Sequence, residues 1–211
     1  MGVEPQRLRR LHQVHGVAVS VWRPGASGDS AQPDADIIIS DDPASALAIQ
    51  TADCVPLLMA DRRTACVAAA HAGWRGLAAR VPGVAIKALA REFGSRGQDL
   101  IAAVGPSISA PRYEVGVDVR TRFEEAGFSV AQLARWFSAA ERPEHWYFDG
   151  WQSVRDQLED AGVPPPQIHI AALCTATHAD VFCSYRRDGS PAGRMAAAVR
   201  ARGADDGFDA A

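Results

Sequence analysis

No run of apolar residues in this chain approaches the ~20 needed to cross a membrane. The opening, MGVEPQRLRRLHQ, lacks the apolar core of a secretory leader. Both absences predict a soluble protein with no membrane partner. Charge of one sign is lacking too: 22 Lys and Arg stand against 25 Asp and Glu, for a formal charge of −3, and the basic residues are scattered. No stripe is available for nucleic acid. Cysteine is scarce, with four in 211 residues, which points to free thiols in a reducing, cytoplasmic setting rather than a disulfide framework. Internal repeats are absent as well.

What remains is a chain that is 47% hydrophobic, enough to bury one sizeable core. A single domain over residues 1–211 is expected, with 203–211 as a frayed tail and a monomer as the assembly state. Strand-like stretches alternate unevenly with helix-like ones, which suggests an α+β sandwich. In order, the pattern predicts a helical turn over 7–12, an extended segment over 14–22, an exposed loop over 24–34 and a buried strand over 36–40. A helix over 74–93 should start late or kink at Pro82-Gly83 and end at Gly94. A strand over 100–104 runs into the loop GPSISAPRYEVG, and helices follow over 117–126 and 130–137. ERPEHWYFDG reads as a link ending in Asp149, the N-cap of a helix over 151–161 whose Val154 and Leu158 face the core. Strands over 167–173 and 181–186 and an Ala-rich helix over 194–202 complete the expectation.

The stretch ALAIQTADCVPLLMADRRTACVAAAHAGWRGL, from Ala46 to Leu77, organises the rest. Two apolar runs flank the polar break Asp61-Arg62-Arg63-Thr64. If that break closes an even-numbered loop, the runs form a hairpin with Cys54 directly opposite His71 on one face. Leu58, Val67 and Ala69 would share that face. Val55, Leu57, Met59, Cys66 and Ala68 would lie on the other, and both faces would be covered. Pro56 cannot donate to the ladder, so pairing near Cys54 should be irregular.

A neighbouring Cys and His support two chemistries: a thiolate nucleophile with His as base, or an S/N site for zinc with an open position. The zinc site wants a third ligand, and His15 in the turn HQVHG is the natural one, with His12 in reserve. Alone, Cys54 would read as a small buried side chain. Asp53 before it and the Gly73 that follows His71 weigh against that reading.

Five motifs, Q-V-H-G, T-A-D-C-V-P-L-L, H-A-G-W-R-G, G-P-S-I and C-T…F-x-S-Y-R-R-D-G…G-R-M-A, run from about Leu11 to about Val199. Together they resemble the YfiH-like laccase-domain family of bacterial proteins. The resemblance implies a four-layer α/β/β/α sandwich, also seen in Cys/His deamidating toxins, with His15, Cys54 and His71 as zinc ligands. It implies phosphorolysis of adenosine, inosine and methylthioadenosine, adenosine deamination, and a role in peptidoglycan editing. The chain begins almost at Q-V-H-G, without the Thr-, Arg- and Gly-rich opening segment of most such sequences. Ala176-Thr177-His178-Ala179 replaces a more polar stretch, and Cys183 a usual Phe.

Copper is disfavoured, since a multicopper oxidase consumes ~10 His in paired arrangements and this chain has six in all. Cys54, His71 and Arg75 are therefore expected to carry catalysis, with Arg75 the foremost cation for phosphate. Asp53, Ser107 and Arg194 are weaker substrate-binding candidates. Arg186-Arg187-Asp188 reads as a solvated or structural pair rather than a site, and His145, His169 and His178 as surface or strand residues. The leading expectation is a zinc-dependent purine nucleoside enzyme taking nucleoside and phosphate. A metal-free Cys/His hydrolase of peptidoglycan precursors and a non-catalytic binding protein are the alternatives.

Overall fold

The structure, a computed structural model, describes residues 3–25 and 32–203. Parts of the expected loop over 24–34 and of the tail over 203–211 lie outside these residues. The first half of the chain runs β1 (Leu8–Arg9), β2 (Val19–Trp22), β3 (Ile37–Ser40), β4 (Ala46–Thr51), β5 (Val55–Asp61), β6 (Val67–Ala72), α1 (Trp74–Ala78) and α2 (Val81–Phe93). The second half runs β7 (Leu100–Val104), β8 (Glu114–Gly116), α3 (Val117–Glu125), α4 (Val130–Trp136), β9 (Phe137–Ala139), β10 (His145–Phe148), α5 (Gly150–Asp160), β11 (Ile168–Ile170), α6 (Tyr185–Asp188) and β12 (Met195–Arg200).

Six strands form the central sheet, in the order β11-β7-β5-β6-β3-β2. One face of it carries Ile37, Ile39, Val55, Leu57, Met59, Ala68 and Ala70, packed beneath the buried faces of α1 to α5. The opposite face carries Ile38, Val67 and Ala69, and meets Leu47 and Ile49 of the smaller sheet β1-β4-β12. Period-2 alternation of small and branched apolar residues thus builds two cores on one sheet. The expected α+β sandwich is the fold that forms, with helices α1 to α5 on one face of the central sheet and the smaller sheet on the other. A third sheet, β8-β10-β9, extends the helical side.

The hairpin β5–β6 divides its side chains between the two faces as its alternation predicts, including Cys66 on the helical side. Its register differs by two residues: Pro56, not Cys54, lies opposite His71. The loop is longer because Ala65, at φ 61°, continues the turn. Asp61 holds that turn through Oδ1, which accepts from the N–H groups of Arg63 and Thr64 at 2.7 and 3.0 Å. Parity is preserved, so Cys54 stays on the His71 face, two residues beyond Pro56.

The helix expected over 74–93 is two helices, parted at Arg80 in the left-handed conformation, with Pro82 in the first turn of α2 and Gly94 as its left-handed C-cap. Four further expectations are overturned. Residues 5–7 form a 3₁₀ turn, and Leu8–Arg9 then join β4 as a parallel strand instead of continuing a helix. The link after α4 contains β10, which pairs with both β8 and β9. The stretch 181–186 is a turn running into α6, capped by Ser184, whose Oγ accepts from the Arg187 N–H. The Ala-rich stretch 194–202 is the strand β12, antiparallel to β4 along its whole length. Alanine favours helix in isolation, but an open edge of β4 offers six residues of ladder that local propensity does not register.

Behind the site-bearing edge lies an aromatic cluster. Phe123, fully buried, contacts Phe128, Trp136, Phe137 and Phe148 at ring separations of 5.0 to 6.0 Å. Phe148 also lines the main cavity, so this cluster supports its wall. Phe123→Ala should destabilise the protein by about 3–5 kcal/mol in urea denaturation. A loss below about 1 kcal/mol would contradict the packing described.

Candidate metal centre

Three elements bring His15, Cys54 and His71 together. His71 lies near the end of β6, Cys54 immediately before β5, and His15 in the turn that follows β1 and its connecting segment. One donor atom from each lies within 4.8 Å of the others. The two imidazoles meet edge to face, with centroids 4.8 Å apart at 82°. A Cβ at position 73 would stand 3.0 and 3.4 Å from Cys54 Sγ and His15 Cδ2, so glycine there lets the two side chains approach closely.

Asp36 organises the cluster and was not foreseen from the sequence. It is fully buried at the head of β3. Its Oδ1 accepts from His71 Nδ1 at 2.8 Å and from the His15 N–H at 3.0 Å. Its Oδ2 accepts from the N–H groups of Gly16 at 2.6 Å and Val14 at 3.2 Å. The bond at Nδ1 leaves Nε2 of His71 to face the cluster. The backbone bonds hold His15 at φ 60°, a left-handed conformation that non-glycine residues seldom adopt. Burial alone would raise the Asp36 pKa, but the bonds from His71, Gly16 and Val14 outweigh it and hold the carboxyl below its ordinary range. The one visible signal was an acidic residue opening the apolar run DIII.

The same balance governs the cluster. Burial opposes the Cys54 thiolate, but hydrogen bonds from His15 and His71 prevail and bring its pKa down to about 7. Burial likewise opposes the His71 imidazolium, but Asp36 and Cys54 raise its pKa to about 9. Both shifts favour a thiolate beside an imidazolium in the metal-free site. Cys66, by contrast, is pushed up by burial.

A cavity of about 630 Å³ opens on the cluster, and Asp53, Arg75, Tyr113, Arg186 and Arg194 line it among others. Asp53, at φ 86°, is a structural clamp: Oδ1 accepts from Thr175 Oγ1 and Oδ2 from the Arg186 N–H, both at 2.6 Å. Ile108 N–H donates to the Asp53 carbonyl. The T-A-D-C, G-P-S-I and C-T motifs, far apart in sequence, are thereby tied together. Arg75 stacks on Trp74 with its guanidinium 4.3 Å from the ring centroid. Arg194, immediately before β12 rather than at a helix start, donates to the Ala192 and Gly193 carbonyls. Ser107 is fully buried, away from the cavity: its Oγ accepts from Trp151 Nε1 at 2.6 Å and donates to the Gly105 carbonyl. His12 pairs with Asp34 on the rim. Arg187 pairs with Asp188 as expected, whereas Arg186 turns to the cavity.

Residues 1–202 match the family model described as multi-copper polyphenol oxidoreductase laccase. The chain belongs to this family. Among its laccase-like relatives, a Bacteroides thetaiotaomicron protein named purine nucleoside phosphorylase is 38% identical over 164 residues, 78% of this chain and 60% of that protein. The chain thus spans well under the full length of that relative. Purine nucleoside phosphorylase YfiH of Escherichia coli is 36% identical over 199 residues, covering 92% of this chain and 74% of that protein. The crystal structure of the Bacillus licheniformis hypothetical protein YfiH superposes with a TM-score of 0.88 at 28% identity, covering 95% of this chain and 76% of that one. The α+β fold of this laccase-like chain is therefore shared with solved relatives.

Two measurements test the site. Asp36→Asn keeps the volume but places an amide where four N–H donors converge, so affinity for a divalent metal should fall about 10- to 100-fold. Unchanged affinity in a competition titration would remove Asp36 from its assigned role. In metal-stripped protein, iodoacetamide labelling of Cys54 should rise through about pH 7 as the thiol ionises. Peptide mapping that finds a midpoint near that of a free thiol would refute the ion pair.

Proposed function

We propose that the protein is a zinc-dependent purine nucleoside phosphorylase that also deaminates adenosine, working in a reducing, cytoplasmic setting. The observation that carries this reading is the three-donor cluster His15, Cys54 and His71 facing a cavity with arginines on its wall. Relatives named purine nucleoside phosphorylase support it. Two imidazoles and a thiolate suit zinc and leave a fourth position free for a substrate atom. The same donors can hold a single copper. A multicopper oxidase needs further clusters, and this is the one group of three such side chains found among the described residues. Zinc bound there would supply Lewis-acid polarisation of a substrate oxygen in phosphorolysis, or of water in deamination.

The chain's own residues supply the rest. Asp36 fixes the His71 ring, and the left-handed backbone at His15 and Asp53 aims two loops at one point. The cavity, at about 630 Å³, falls in the range of small-molecule sites. Its aromatic residues Trp74, Tyr113 and Phe148 offer surfaces for a purine, and Arg75 and Arg194 offer charge for phosphate. In phosphorolysis the C1′–N bond of the nucleoside breaks, a C1′–O bond to phosphate forms, and the base leaves with the ribose carried off as ribose 1-phosphate. Holding both reactants beside the cluster makes that exchange effectively unimolecular. Methylthioadenosine is a further candidate substrate for the same pocket.

A second reading has its own observation: Asp36, His71 and Cys54 form an acid–base–nucleophile series that could hydrolyse a peptidoglycan precursor without metal. One experiment separates the readings. Purified protein should contain about one zinc per chain and convert inosine and phosphate to hypoxanthine and ribose 1-phosphate, and Cys54→Ala should lose both properties. Turnover equal to that of the Cys54→Ala protein would sink the phosphorylase reading. Metal-free protein that is acylated at Cys54 would favour the hydrolase, and inactivity in both assays a binding protein.

A further inference from the structure

Several arginines of the fold pair with carboxylates. Arg23 meets Glu92, Arg63 meets Asp99, Arg135 meets Asp156 and Arg187 meets Asp188. Three arginines line the cavity, Arg75, Arg186 and Arg194, and among the described residues none of their guanidiniums has a carboxylate partner; Arg194 spends Nη1 on the Ala192 and Gly193 carbonyls, which leaves Arg75 and Arg186. Each of these two lies against an aromatic ring of the cavity wall, Arg75 on Trp74 at 4.3 Å and Arg186 on Tyr113 at 5.1 Å. A stacked guanidinium has its face covered and its N–H edge free for planar, bidentate contacts. Arg186 spends one Nη1 bond on the Glu114 carbonyl at 2.9 Å and retains its other donors.

Both stacked cations, with Trp74 and Tyr113 beneath them, belong to the lining of the one cavity on which the His15–Cys54–His71 cluster opens. Asp53 is the one carboxylate among the cavity-lining residues, and both its oxygens are engaged, by Thr175 and by the Arg186 N–H. It therefore positions Arg186 and leaves the guanidinium charge available. Because Asp53 precedes Cys54, one turn aims the metal cluster from one side and the arginine from the other.

We propose that Arg186 and Arg75 form a two-arginine clamp for a tetrahedral oxyanion, inorganic phosphate, on the cavity wall beside the His15–Cys54–His71 cluster. This deepens the phosphorolysis reading and rests on it for the choice of phosphate. The test is titration of metal-loaded protein with inorganic phosphate by calorimetry. Wild type should bind saturably, and more weakly as salt rises. Arg186→Met and Arg75→Met should each weaken binding about tenfold or more, as expected for loss of charge-assisted hydrogen bonds. Arg186→Lys, which keeps charge without the fork, should fall between, and Arg91→Met on the exposed side of α2 should match wild type. Thermal melting of each variant separates loss of binding from loss of folding.

Phosphate affinity of a folded Arg186→Met protein within twofold of wild type would overturn the clamp, as would absence of saturable binding to wild type at millimolar phosphate. Adenosine monophosphate in the same titration distinguishes an esterified phosphate: Arg186-dependent binding of the nucleotide without binding of phosphate would overturn the free-phosphate assignment. Arg186-dependent phosphate binding without cleavage of any nucleoside would uphold the clamp and defeat the phosphorylase reading alone.

Discussion

A single buried carboxylate holds the functional end of this protein together. Asp36 is removed from water at the head of a strand, where an unpaired charge would be severely unfavourable. It is tolerated because four N–H donors converge on its two oxygens. Those donors come from the Q-V-H-G turn and from β6, so the interaction that keeps the charge soluble in the core also sets the distance between His15 and His71. Its backbone carbonyl accepts from the His71 N–H as well, which locks the strand pairing to the same point.

Asp53 repeats the device on the other side of the cavity. Its carboxylate joins the C-T and S-Y-R-R segments to the T-A-D-C turn, and its positive φ directs Cys54 toward the two imidazoles. Two non-glycine residues in the left-handed region, His15 and Asp53, thus flank the cluster. Such conformations cost on the order of 1–3 kcal/mol each and persist where surrounding bonds over-determine them. Here those bonds are the ones made by the two carboxylates. A rigid sheet beneath and an aromatic cluster behind give the preorganised support that a metal or small-molecule site requires.

The charge pattern follows from the same arrangement. With the buried Asp36 and the cavity-lining Asp53 both engaged by N–H and O–H donors, neither carboxylate neutralises the cationic side chains on the wall. The cavity then combines a Cys/His corner whose donors could hold a metal, aromatic surfaces and guanidinium edges within one volume, the combination on which the proposed nucleoside and oxyanion binding rests.

Much of this was legible in the residues. The alternation in β5 and β6 assigned every apolar side chain to the correct face, and parity alone put Cys54 and His71 on one side of the sheet. Helix ends at Gly94 and Asp149 were readable because a left-handed cap and a side-chain cap are local chemistry. Strand β12 and the pairing of β10 were not readable, because each exists by virtue of a partner edge distant in sequence. The exact register of the hairpin depended on Ala65 extending a turn under the hold of Asp61, and the roles of Ser107 and Arg186 were exchanged by which way their segments faced. Sequence by itself determined the donor types, the face on which the central Cys and His lie and the family to which the chain belongs, since these depend on residue identity and a period of two. Tertiary structure alone decided that Asp36 organises the centre, that Asp53 is a clamp and that Arg186 faces the cavity, because each depends on hydrogen bonds between segments that only the folded chain brings within 3 Å of one another.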